Sequence, residues 1–168
     1  LGDTSSRVAV TINSGGQRNG GSMTIPNDVA VQQCIKRAVQ KSNIKPTDID
    51  TINGHLTATK NDHMEIKNWT EALGLSGDLF PPINSLKSMV GHCLSAAGAI
   101  ESVACVLQLR DGFIFPNTNC EDISEEITSL ISKENIPREM ISKELNVVAK
   151  ASFGFGDVNG CLIFKKYI

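Results

Sequence analysis

Apolar residues along this chain recur with two different periods, and the changes of period mark where elements begin and end. Arg7-Val8-Ala9-Val10-Thr11-Ile12-Asn13 is dense in β-branched residues and runs into Ser14-Gly15-Gly16, which predicts a strand entering a turn. A loop to Pro26 follows. Asn27 or Asp28 then offers a cap to a helix whose apolar positions Val31, Cys34, Ile35, Ala38 and Val39 fall at three- and four-residue steps, with Lys36, Gln40 and Lys41 turned outward. Pro46-Thr47-Asp48 interrupts the chain ahead of a short strand from Ile49 to Asn53, which ends at Gly54-His55. Asn61 or Asp62 caps a second helix through Met64, Ile66, Trp69 and Leu73, with Gly74 as its stop, and Pro81-Pro82 leads into an extended Ile83-Asn84-Ser85.

Val90 to Leu109 is the most apolar stretch and reads as one buried helix. Ile100, Val103, Ala104 and Leu107 occupy one face, and Ser95-Ala96-Ala97-Gly98-Ala99 keeps the other thin enough for a neighbouring backbone to approach. His92, Ser95, Glu101 and Gln108 interrupt it, so it falls short of the roughly 20 apolar residues a bilayer crossing needs. Asp122 to Leu145 is polar, contains Pro137 and predicts a surface loop with a short helix. Val147-Val148-Ala149-Lys150-Ala151 and Cys161-Leu162-Ile163-Phe164 flank a glycine-rich turn and predict a hairpin. The fold class this order implies is α/β: a mostly parallel five-stranded sheet with one antiparallel strand, helices packed on it and a C-terminal hairpin. At 168 residues, one domain over 1–168 is expected.

Composition excludes some classes. Sixteen Lys and Arg against eighteen Asp and Glu leave a net charge of −2, without the basic excess that neutralising a run of phosphates requires, so nucleic acid is not an expected partner. Five cysteines in no CxxC spacing, and odd in number, point to a reducing compartment, the cytoplasm. The chain opens on Leu1-Gly2-Asp3 with neither an initiating Met nor a secretion signal and reads as a fragment.

Candidate chemistry collects where strands and loops hand over to helices, the usual place for reactive groups in an open α/β sheet. His55 ends a strand, and Lys87 and His92, in Lys87-Ser88-Met89-Val90-Gly91-His92, flank the entrance to the small-residue helix. Two imidazoles and an ammonium brought into one pocket suit a carbonyl oxygen that gains negative charge during reaction. Taken singly, a histidine is more often a satisfied structural residue than a catalytic one. Asp62 and Glu65 form an i, i+3 carboxylate pair able to orient an imidazole or lysine, although such a pair is more often a helix-start preference with solvation. His63 has no second ligand at a helical partner position, so no metal site is predicted. Gly154-Phe155-Gly156 fails the spacing of a dinucleotide fingerprint. It permits instead a bend that presents the Phe155 amide to a cavity with the ring as a movable wall, or simply a glycine-rich hairpin. No cysteine carries a nucleophile signature.

Three motifs in order, Asn53-Gly54-His55-Leu56-Thr57-Ala58-Thr59, KSMVGHCLSAAGAIES from Lys87 to Ser102, and SFGFGDVNGCLIFKK from Ser152 to Lys166, carry a family resemblance. The chain resembles the C-terminal half of an elongating β-ketoacyl-acyl carrier protein synthase, including Met23-Thr24-Ile25-Pro26 as a substrate-loop segment. The resemblance implies one of the two pseudo-repeated halves of a thiolase-like fold, with the half bearing the nucleophilic cysteine absent from this chain. It implies His55, Lys87, His92 and Glu101 as catalytic-site residues, Phe155 with Gly154 and Gly156 as the gating and oxyanion-hole loop, and Thr57 and Thr59 as contacts of the phosphopantetheine arm. It further implies no tightly bound cofactor, a pantetheine arm that arrives on an acyl carrier protein, a homodimer when complete, and no membrane span. Leu56 stands where the family has glycine, the loop between Thr59 and Asp62 is one residue shorter, and Asp157-Val158 replaces Gly-Thr. Three readings follow: a condensing enzyme's C-terminal half, a non-catalytic partner subunit that shapes the acyl pocket of an active homologue, or an isolated half with an exposed apolar face.

Overall fold

The structure, a computed structural model, describes residues 6–13, 24 and 27–166. The substrate-loop segment of the resemblance, residues 23–26, lies outside the described residues apart from Thr24. The strands are β1 (Ser6–Asn13), β2 (Thr51–Asn53), β3 (Ile83–Asn84), β4 (Phe113–Ile114), β5 (Ile141–Ser142), β6 (Val147–Gly154) and β7 (Val158–Lys166). The helices are α1 (Asp28–Lys41), α2 (Asp62–Leu73), α3 (Lys87–Val90), α4 (Ala97–Asp111) and α5 (Glu125–Thr128).

Five strands form one sheet in the order β1-β7-β6-β2-β3. β6, β2 and β3 pair in parallel, while β7 lies antiparallel between β1 and β6, so four strands run one way and β7 alone runs the other. This is the mostly parallel sheet with a terminal hairpin that the sequence predicts. β4 and β5 add a small antiparallel ribbon that the polar stretch 122–145 does not announce.

Side-chain alternation along β6 and β7 divides the core in two. Val147, Ala149, Ala151 and Phe153, with Cys161 and Ile163, face a layer built from α1 and α2. Val148 and Phe164, with Leu162, face α4 through Cys105 and Leu109. A sheet covered on both faces explains why its strands read as near-continuous apolar runs. The predicted helix positions Val31, Cys34, Ile35, Ala38 and Val39 are the buried residues of α1, and the Asn27 side chain accepts the Val29 and Ala30 amides as its cap. α2 ends at Gly74 with φ 68°, as predicted. Its start differs: the Asn61 side chain makes no cap bond, and its backbone carbonyl accepts the Met64 and Glu65 amides instead.

The apolar stretch 90–109 is the main correction. It is not one helix, because Gly91, at φ 75°, closes α3 and turns the chain away before α4 starts at Ala97. A positive φ at that point is easy only for glycine. α4 buries Ala97, Glu101, Cys105, Gln108 and Leu109, whereas Ile100 and Val103, expected inside, are 39% and 60% exposed. Helix period alone could not orient a helix that is apolar nearly all round.

Candidate active site

Three parallel strands end on the same edge of the sheet, and each delivers part of the site there. β2 leads to His55, β3 to Lys87 and β6 to the Phe155 turn. The Asn53 amide donates to Asn84 Oδ1 at 3.3 Å, tying the ends of β2 and β3 together just before His55 and Lys87. His92 follows Gly91, whose turn folds the chain back toward β2. The result is a T-shaped contact of the His55 and His92 rings, with centroids 5.5 Å apart and planes at 82°. The Phe153 ring also makes an edge contact with His55, with centroids 6.3 Å apart.

Two clefts adjoin this pair, and His92 lines both. One of about 350 Å³ is lined by His55, His92, Thr57, Thr59, Gly154 and Phe155. The other, about 780 Å³, also reaches Thr57, Thr59 and His92 and includes Lys87. The structure therefore brings His55, His92, Lys87, both threonines, Gly154 and Phe155 to two clefts that share Thr57, Thr59 and His92 in their walls. Thr57 and Thr59 hydroxyls lie 3.3 Å from each other. Glu101 lines neither cleft and is 1% exposed, paired with Lys87 Nζ at 2.5 Å through Oε1. Gly156 and Asp157, at φ 74° and 62°, form the tip of the β6–β7 hairpin with Phe155, whose ring is 73% exposed. Asp157 is held in that backbone conformation by its side chain, which accepts from Asn159 Nδ2 at 2.9 Å.

The electrostatics differ between the two rings. Burial pulls the His55 imidazole from 6.5 to about 4, with the Lys87, His92 and Lys150 charges adding to the drop and Glu101 opposing it. At neutral pH this ring is uncharged. Its Nδ1 is buried without a hydrogen-bond partner, a cost that concentrates at functional sites. His92 Nδ1 accepts the Leu94 amide at 3.0 Å, which assigns the ring's proton to Nε2.

Asp62 and Glu65 orient the loop backbone between them rather than an imidazole or a lysine. Glu65 accepts the amides of His55 and Leu56 at 2.7 and 2.8 Å, and Asp62 accepts those of Thr57, Ala58 and Thr59 at 3.1 to 3.3 Å. Two carboxylates thus satisfy five consecutive N–H groups, a charge-assisted cradle that sets where His55, Thr57 and Thr59 point. Burial pushes the Glu65 carboxyl up from 4.5 to about 7, against the pull of those amides. Gly54 is part of the same packing: a Cβ there would lie 2.9 Å from Glu65 Oε1 and 3.0 Å from Leu56 Cγ. Gly54→Ala is expected to destabilise the fold by about 1 to 3 kcal/mol, read as a lower urea midpoint. An unchanged midpoint would mean that the Glu65 carboxylate is free to move aside.

Sequence reading missed Lys150. It is 1% exposed on β6, and its Nζ lies 2.7 Å from Glu101 Oε2. The available signal was a lysine inside an apolar run that the fold covers on both faces. Among the described residues no group of three or more His, Cys, Asp or Glu is placed to hold a metal ion. His63 is instead engaged with the Lys60 carbonyl at 2.6 Å. All five cysteines are unbridged, and burial raises the Cys105 thiol to about 12, far from a thiolate at neutral pH.

Comparison with known proteins shows the family of the chain. Residues 6–121 match the family described as β-ketoacyl synthase, C-terminal domain. The chain belongs to that family. It is 34% identical over 158 residues to 3-oxoacyl-[acyl-carrier-protein] synthase 1 of Escherichia coli (strain K12), covering 94% of this chain and 37% of that protein. It is 36% identical to the Haemophilus influenzae (strain ATCC 51907 / DSM 11121 / KW20 / Rd) protein of the same name, covering 95% and 37%. Among solved structures it is similar to a type II PKS acyl-carrier protein complex with its ketosynthase bound to the hexaketide (AntDE:AntF), with a TM-score of 0.76 and 27% identity over 96% of this chain and 38% of that one. The fold of this β-ketoacyl synthase C-terminal domain is thus that of the thiolase-like ketosynthases. The chain spans little more than a third of the length of these relatives.

Proposed function

We propose that this chain supplies the histidine, lysine and gating-loop part of a decarboxylative Claisen condensation. In that reaction an acyl-enzyme and malonyl-acyl carrier protein give 3-oxoacyl-acyl carrier protein in fatty-acid-type chain elongation. The observation that carries the reading is the perpendicular pair of rings, 5.5 Å apart, beside two clefts and in front of a buried Lys87–Glu101 pair. As the malonyl C–C bond breaks, carbon dioxide leaves and the bonding electrons pass to the thioester carbonyl as an enolate. Imidazole N–H groups of His55 and His92 directed at that oxygen stabilise the charge as it develops, where a preorganised donor contributes most. The enolate carbon then attacks the acyl thioester and displaces a cysteine thiolate, which the part of the protein outside this chain provides.

The roles of the neighbours follow. Thr57 and Thr59 line both clefts and are suited to the hydroxyl- and amide-rich pantetheine arm, which the carrier protein brings. The Phe155 amide and ring guard the smaller cleft from the hairpin tip. Glu101 acts through Lys87 rather than on substrate. The reaction needs no resident cofactor. Acyl carrier protein is the partner, in keeping with the ketosynthase complex to which the chain is similar, and a cytoplasmic homodimer is the assembly in which we place it. No helix among the described residues is long and apolar enough to cross a membrane. Retention of both histidines and the lysine favours an enzyme over a non-catalytic partner subunit. The test is release of carbon dioxide from malonyl-acyl carrier protein by the complete protein. Steady release is expected, and an inert complete protein overturns the proposal.

A further inference from the structure

Lys150 sits directly beside Asn53 on the neighbouring parallel strand β2, two residues upstream of His55. A lysine at 1% exposure has to be compensated, and here the compensation is shared. Its Nζ pairs with Glu101 Oε2 at 2.7 Å, donates to the Ala151 carbonyl at 2.7 Å and meets Ser152 Oγ. The other oxygen of Glu101 holds Lys87 at 2.5 Å. One buried carboxylate thus serves two buried ammonium groups, from α3 and β6.

Stability does not account for this arrangement, since buried ionic triads are often no more stable than apolar residues of the same volume. Its consequences are positional and electrostatic. Lys87 hydrogen-bonds one oxygen of the carboxylate, and the Lys150 charge lies against the other, which has no hydrogen-bond partner of its own, so the two ammonium groups share one anchor. A Lys87–Glu101 pair alone would be formally neutral, whereas the three groups together carry one positive charge, buried where the dielectric is low and the field reaches far. We propose that Lys150 is a positioning residue of the site: paired with Glu101 it helps hold the carboxylate that anchors Lys87, and it places a second positive charge behind His55.

The titratable groups facing that ring are Lys87 from α3, His92 from the loop after it, Glu101 from α4, Lys150 from β6 and Glu65 from α2, with Asp28 and Asp62 farther along the same cleft. Removing the Lys150 charge takes away one of the influences that hold His55 down at about 4. The His55 titration is read by NMR in the complete protein labelled with ¹³C-histidine. Lys150→Met and Lys150→Gln are both expected to move its midpoint up by roughly half a pH unit or more. Lys150→Gln keeps a donor for the Ala151 carbonyl, so it carries the measurement if the methionine variant does not fold. Lys150→Arg retains the charge and is expected to stay near the parent. A midpoint that does not move in a folded neutral variant, or that moves as far in Lys150→Arg as in Lys150→Gln, overturns the proposal. Its catalytic meaning rests on the function proposed above, but the titration does not. A moved midpoint in a protein without decarboxylase activity would refute that function alone, and an unmoved midpoint in an active enzyme would refute the role of Lys150 alone.

Discussion

His55→Ala is expected to lower malonyl-carrier protein decarboxylation by about 10²- to 10³-fold, the usual cost of deleting one preorganised donor to a developing oxyanion. The loss should fall on kcat, because the hydrogen bond strengthens only as the enolate forms, while the pantetheine arm still binds along Thr57 and Thr59. A variant that keeps the parent rate would remove His55 from the mechanism. A second readout needs no substrate. The folded ring titrates at about 4 and the unfolded ring near 6.5, so between those values the unfolded chain binds more protons. The contribution of His55 to stability is therefore complete above about 6.5 and is lost as pH falls toward 4. Urea midpoints measured across that window should show a shallower acid slope in His55→Ala than in the parent, and parallel slopes would contradict the depressed titration.

Glu101→Ala is expected to be strongly damaging to the fold. It leaves the Lys87 and Lys150 ammonium groups, whose side chains are 7% and 2% exposed, without their common partner. Breaking a buried ion pair in this way costs about 3 to 5 kcal/mol, a large share of the total stability of a typical domain. Denaturant unfolding should show a strongly reduced midpoint, and decarboxylation should fall with it as Lys87 loses its anchor. The exposed Lys67–Glu71 pair on α2, with N and O 3.8 Å apart, offers the contrast: its removal is worth at most about 0.5 kcal/mol. An unchanged midpoint in Glu101→Ala would mean that solvent reaches the two lysines.

Local signals were enough wherever one face of an element alone decided its place. The five buried positions of α1, its Asn27 cap, the stop at Gly74 and the hairpin of β6 and β7 follow from spacing and turn chemistry. The histidines and Lys87 were legible because reactive groups in such sheets gather at strand ends, and the three motifs carried the resemblance. Three features were not legible. α4 is apolar nearly all round, so only its neighbours decide that Glu101 and Cys105 face inward while Val103 faces out. Gly91 breaks the helix because the His92 ring has to return toward His55. The Asp62 and Glu65 pair looked ready to orient a side chain, yet the five amides of the tight loop from His55 to Thr59 had no other acceptors and claimed both carboxylates.

By itself the sequence determined the α/β class, the main strands and helices α1 and α2, and the three chemical groups at the end of the sheet, since period, caps and turns are properties of neighbouring residues. Only the tertiary structure decided that Lys150, 49 positions beyond Glu101 in the chain, joins Lys87 on one carboxylate behind His55. Such pairings are set by strand order, because β6 lies in register beside β2 and under α4, and no local pattern encodes which distant strand a strand will meet.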